Sequence, residues 1–318
     1  MQIVNFIKSD ERRLGFLVKH HVVDAVSAIE AGARGERSWF ADTTSFIRAG
    51  AEARKAADEM IIGEKGRIAR ASVRLAAPML PSTLLCSGSN YHAHNSEKVS
   101  APISGKEPEF FVMTSDCVVG PDDPIIYDPA LTTKLDCETE LAVVIGKAGR
   151  HISVEKALDH VFGYTIVNDV TARDRQVRKS PEGFVWYEVG RGKAFDSSSP
   201  LGPVIVTADE IGDPQTLHLR TRINGELRQS SPTADMIWTC ADLIHFFSIN
   251  FTLRPGMVII TGTPGGTAWS TDEELGGKWQ GQEGLVAATR YCLPGDIVES
   301  EIDRIGVLRN EIVHVAAD

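Results

Sequence analysis

The chain has 318 residues, 42% of them hydrophobic, enough for a sizeable core in one large domain or two smaller ones. Asp plus Glu outnumber Lys plus Arg by 43 to 33, and the net charge of -10 argues against a nucleic-acid partner, because phosphate binding needs a basic surface. The start, MQIVNFIKSDERR, turns charged by Lys8, no run approaches the ~18 apolar residues of a membrane span, and the 5 cysteines are scattered, so a cytoplasmic protein with reduced thiols and no membrane partner is expected.

In chain order, residues 2–25 alternate like short strands around a turn. Residues 38–60 have helical spacing and many alanines. AAPMLPST at 76–83 carries two prolines between segments of different character. It suggests a small N-terminal α/β domain over 1–78 and a larger domain over 79–318. CVVGPDDPIIY reads as strand, turn, strand; ELAVVIG and VFGYTIVNDV read as buried strands, with a helix SVEKALDHV between them. LGPVIV, LHLRTRINGELRQ, GMVIITG and DIVESEI continue the strands, with a hairpin through Asn224-Gly225. WTCADLIHFFSIN is an amphipathic helix. The expected class is α+β and strand-dominated. GxGxxG, Walker and GxSxG motifs are absent from the sequence, which weakens dinucleotide, NTPase and serine-hydrolase readings.

The chemistry-bearing residues fall in several blocks. In GSNYHAHNSE, His94 and Glu97 are spaced i, i+3, the arrangement of a carboxylate that orients an imidazole base. His92 and His94 also form HxH, but the other histidines offer no second zinc motif. In LDCETELAVVIG, Glu138 and Glu140 project to one face of a strand, and Cys137, Thr139 and Leu141 to the other. A second apolar strand ends at Asn168-Asp169. Three carboxylates describe a hard-ion site for Mg²⁺ or Mn²⁺. By spacing alone, a solvated strand start with Asp169 capping a helix stands beside that reading. Arg173 and Gln176, again i, i+3, point to one side if TARDRQ opens a helix. Lys193, flanked by glycine in GRGKAFD, faces a pocket or solvent. In TGTPGG, backbone N–H groups can hold a carboxylate, or simply close a turn. Trp186, Tyr187 and Trp269 fit core packing ahead of a pocket.

Taken together, SNYHAHNSE, LDCETELAVVIGK, GYTIVNDVTARDRQ, GKAFDSSSPLGP, RINGELRQ and VIITGTPGG resemble, in order, the fumarylacetoacetate hydrolase family over roughly residues 80–310. The resemblance implies a mixed β-sandwich roll as catalytic domain, behind a small N-terminal domain, in a homodimer. It implies Mg²⁺ or Mn²⁺ on Glu138, Glu140 and Asp169, with His94 and Glu97 as a water-activating dyad. Lys193 then stabilises developing charge, and Arg173, Gln176, Thr263 and Tyr91 contact a small-molecule substrate. The implied reaction is hydrolysis of a C–C bond in an acylpyruvate or β-diketo acid. The alternative is decarboxylation or isomerisation of an oxaloacetate-like or unsaturated 2-oxo acid, in aromatic or sugar-acid catabolism; a non-catalytic metal-binding protein is the reading from another class. Two departures stand out. A long segment over 265–295 replaces the family's short turn after TGTP, and Ser87 stands near a further Asp ligand of the largest members, which leaves three carboxylates.

Overall fold

Two neighbouring strands, Thr139–Ile145 and Val161–Asn168, form the centre of the larger sheet. The apolar runs LAVVI and YTIV lack polar alternation, as strands covered on both faces do, and these runs are fully buried. The computed structural model describes residues 1–98 and 105–316. In it the two strands pair antiparallel from Thr139↔Asn168 to Val144↔Gly163. Val258–Ile260, Leu84–Gly88 and Glu109–Met113 continue the sheet on one side, and Ser199–Thr207 continues it on the other.

The sheet does not stop at the proline-rich connection near residue 78. Gln2–Lys8 pairs with Ser199–Thr207 through Gln2↔Val206 and Ile3↔Ile205. Glu11–Val18, His21–Asp24 and Arg67–Ala69 extend it outward. The helix Thr43–Gly63 packs Phe46 against Phe16 and Phe40, with ring centroids 5.6 Å apart in both pairs. It begins later than the residue 38 expected from spacing, because Asp42 caps it by accepting from Ser45 N at 2.7 Å.

A second sheet of five strands, including the hairpin His218–Ile223 and Glu226–Pro232, covers one face of the first. Leu219, Ile302 and Leu308 from it share a core with Leu141, Val143, Tyr164 and Ile166. The hairpin turn has φ of 52° at Asn224 and 81° at Gly225, the doubly positive geometry that an Asn-Gly pair favours. The architecture is thus strand-dominated α+β.

The expected helix SVEKALDHV is instead a 3-10 helix, Val154–His160. Gly146 and Lys147, at the end of the preceding strand, donate to the His160 carbonyl at 2.8 and 3.2 Å, so the turn is tied to the sheet before it relaxes into an α-helix. The helix Cys240–Asn250 carries a reciprocal Thr239/Asp242 cap. Among the described residues no helix is long and apolar enough to cross a membrane.

Candidate active site and metal centre

Because the two central strands are antiparallel, the entrance of one lies beside the exit of the other. Asp169 N donates to the Glu138 carbonyl at 2.8 Å, and Glu138 N donates to Asn168 Oδ1 at 2.9 Å. The pleat then puts Glu138 and Glu140 on the same side. One carboxylate oxygen each from Glu138, Glu140 and Asp169 lies within 4.8 Å of the others, and all three residues are buried. Gly262 N, in the TGTP turn, donates to Glu140 Oε2 at 2.5 Å. Lys193 Nζ reaches Glu138 Oε2 at 2.5 Å and Asp169 Oδ2 at 2.7 Å.

The electrostatics are those of a site short of positive charge. Burial, with Asp169 and Glu138 adding like charge, pushes the Glu140 carboxyl well above its usual range. Burial pushes Asp169 up to about 6, against the pull of Lys193. Burial also acts to raise Glu138, but Arg173 and Lys193 draw it below the ordinary carboxylate range. Asp169 Oδ1 is buried without a hydrogen-bond partner. Three convergent carboxylates, one of which carries an orphaned oxygen, fit a divalent cation such as Mg²⁺ or Mn²⁺.

Arg173 is fully buried and tied on every side. Nε donates to Asp136 Oδ2 at 2.9 Å, Nη1 to Gln176 Oε1 at 2.9 Å, and Nη2 to Glu138 Oε1. It therefore holds Glu138 in place while lining the cavity. Asp136, not singled out above, anchors this arrangement: it also accepts from Ala268 N and Trp269 N, each at 3.0 Å. The signal was present in the sequence, since Asp136, Glu138 and Glu140 alternate at period two.

The opposite wall is the short helix His92–Ser96 and its C-terminal neighbours. His94 Nδ1 lies 3.4 Å from Glu97 Oε2, and Nε2 lies 3.9 Å from Glu138 Oε1. Burial pulls the imidazole well below its ordinary pKa, with Lys98 adding to the effect, which disfavours the charged ring. Burial also raises Glu97 to about 8, although Gly266 N donates to its Oε1 at 2.6 Å. His92 is exposed while His94 is buried. Two residues apart on a helix point about 200° apart, so the HxH zinc pair does not form.

A cavity of ≈ 240 Å³ opens between these walls, lined by His94, Glu138, Glu140, Asp169, Arg173, Gln176, Lys193 and Thr263. Thr263 donates to the Thr139 carbonyl at 3.0 Å and accepts from Gln229 at 2.9 Å. Ser87 also lines it, with its hydroxyl buried and unpartnered. Tyr91, the residue before the helix, does not line it and packs in the main core. A similar cavity of ≈ 230 Å³ lies behind Asp136, but its arginines are already ion-paired, Arg290 to Asp296 and Arg228 to Glu226.

The 265–295 segment, which the sequence sets apart from the family's short turn near the pocket mouth, does reach the cavity. It supplies Trp269, whose ring lies 5.1 Å from both Arg173 Cζ and Lys98 Nζ and 6.3 Å from the His94 ring. Trp269 and Tyr187 line the cavity, while Trp186 stacks on Phe184. The same segment grips the His94 wall: Lys278 N donates to the Glu97 carbonyl at 2.8 Å, and Gly277 bridges Lys98. Lys98 was not singled out above; burial draws its ammonium down to about 7.

A sandwich whose central strands deliver three buried carboxylates beside a histidine–glutamate pair places a candidate metal site against a titratable pair. The chain belongs to the fumarylacetoacetate hydrolase family: residues 83–313 match the model for the fumarylacetoacetate (FAA) hydrolase C-terminal region. It is 41% identical to oxaloacetate tautomerase YisK of Bacillus subtilis over 242 residues, 76% of this chain and 73% of that one. It is 38% identical to the mitochondrial oxaloacetate tautomerase fahd2 of Xenopus laevis over 269 residues, 84% of this chain and 77% of that one. Its fold is similar to that of maleylpyruvate hydrolase from Sphingobium sp. SYK-6, solved with manganese(II) and pyruvate, at TM-score 0.75 and 28% identity, covering 99% and 100% of the two chains.

Proposed function

We propose that the protein is a tautomerase that moves a proton at the carbon beside the carbonyl of an oxaloacetate-like 2-oxo acid, interconverting enol and keto forms. The observation that carries this reading is a buried His94 whose Nε2 faces the carboxylate cluster while Glu97 sits behind Nδ1. Glu138, Glu140 and Asp169 would hold Mg²⁺ or Mn²⁺. The chemistry such an ion supplies when bound is positive charge at the substrate oxygens, which acidifies the adjacent C–H.

With Glu97 ionised, Nδ1–H donates to its carboxylate and Nε2 is left as the acceptor. With a proton on Glu97, the ring takes the other tautomer and Nε2 becomes a donor. The pair thus offers base or acid at one atom. A proton leaves carbon for Nε2 and returns to oxygen, or makes the reverse journey, and no bond between carbons breaks. Arg173 and Asp136 keep Glu138 oriented, and Trp269 lines the cavity beside His94.

Hydrolysis of a C–C bond ranks second. It is favoured by the likeness to maleylpyruvate hydrolase. Against it, Lys193, the donor it would recruit, is already engaged with Glu138 and Asp169. The test is enol absorbance decay of oxaloacetate with Mn²⁺-loaded protein, with products weighed by mass spectrometry. The expected product is an isomer of unchanged mass, and His94→Ala slows its formation by roughly 10²–10⁴-fold. Two carbon fragments, or loss of CO₂ at the catalysed rate, would overturn the proposal.

A further inference from the structure

We infer that Lys98 binds a second carboxylate on the substrate and so selects dicarboxylic 2-oxo acids; this deepens, and rests on, the tautomerase reading. The argument is an inventory of cations around the cavity. Arg173 is ion-paired to Asp136 and Glu138, and Lys193 to Glu138 and Asp169. Lys98 also lines the cavity, but its ammonium donates to a neutral hydroxyl, Ser89 Oγ, at 3.0 Å. An ammonium has three N–H donors; among the described residues Ser89 takes one, and two are open to an incoming anion.

The position is built rather than incidental. Lys98 Nζ lies 5.1 Å from the centroid of the Trp269 ring, an attractive cation–π placement that still leaves donors open. Its backbone is bridged to Gly277. Ser89 holds a left-handed backbone with φ of 56°, and its carbonyl accepts from Asn95 Nδ2 at 2.8 Å. The 265–295 segment thus clamps one cation beside the same indole ring that approaches His94 and Arg173. A substrate whose 2-oxo acid end meets the carboxylate cluster would present its far end to Lys98. A terminal carboxylate there offsets the burial that disfavours the ammonium, and a terminal methyl leaves it unpaired.

The experiment is calorimetry on Mn²⁺-loaded protein with 2-oxoglutarate and 2-oxopentanoate, equal in chain length and different only in a terminal carboxylate or methyl. Wild type should bind the dicarboxylate tighter by about ten- to a hundredfold, the range of a charge-assisted hydrogen bond. Lys98→Gln should bring the ratio toward one, Lys98→Arg should keep most of it, and both should retain Mn²⁺ binding. A ratio unchanged in Lys98→Gln, or equal binding of both acids by wild type, overturns the role of Lys98 alone. Binding of neither acid by Mn²⁺-loaded wild type overturns the tautomerase reading together with it.

Discussion

Glu97 occupies an environment that disfavours its charge, and this has a measurable consequence. Its folded-state pKa is raised from 4.5 to about 8, chiefly by burial. Between those values the unfolded chain has lost this proton and the folded chain keeps it. By linkage, its contribution to stability is present below the lower value and declines as pH rises through the window. In metal-free protein, Glu97→Gln should flatten that decline, so the fall in urea midpoint between pH 5 and pH 8 should be smaller than in wild type. An identical fall would show that Glu97 ionises normally. Removing the His94 imidazole should lower turnover by roughly 10²–10⁴ while Mn²⁺ still binds, because His94 approaches the carboxylates without belonging to the triad.

The segment over 265–295 works as an element because its backbone, more than its side chains, holds the His94 wall. Gly266 has φ of 106°, and a Cβ there would sit 1.9 Å from the Arg228 carbonyl oxygen. Gly266→Ala should therefore destabilise the fold by about 1–3 kcal/mol or more, and depress turnover more than Mn²⁺ affinity, since Gly266 N also holds Glu97. Thermal unfolding and a Mn²⁺ titration of the same sample check both halves. Much of the site was legible from sequence because strand periodicity is local: Glu138 and Glu140 share a face, and Asp169 ends the strand that pairs beside them. What was not legible depends on contacts between distant segments. Trp269 reads as core because it is large and apolar, and its place in the cavity is set by Asp136 gripping its backbone N–H from 133 residues away. The partners of Arg173 were legible only in part: Gln176 lies three residues on, but nothing local reveals that Asp136 and Glu138 also pair with it. Tyr91 sits in a site motif yet faces the core.

At the scale of the whole molecule, the first 78 residues and the site share one sheet. Gln2–Lys8 covers the edge of Ser199–Thr207, and Phe16, Phe40 and Phe46 share a core with Ala142, Val144, Val167 and Val258. Composition and the proline pair mark a change of character near residue 78, but strand pairing at a separation of 200 residues lies beyond local pattern. Deletion of residues 1–78 should expose that strand edge and half of this core. The remainder should lack a cooperative thermal transition; a sharp transition near that of the full chain would show two independent folding units. What the whole fold accomplishes is to bring three acidic side chains from two strands to one point out of water. Titrating Mn²⁺ into metal-free wild type and Glu140→Gln by calorimetry tests this most directly. One site per chain in wild type, lost in the variant, is the predicted result; equal binding by both, or none by wild type, would contradict it.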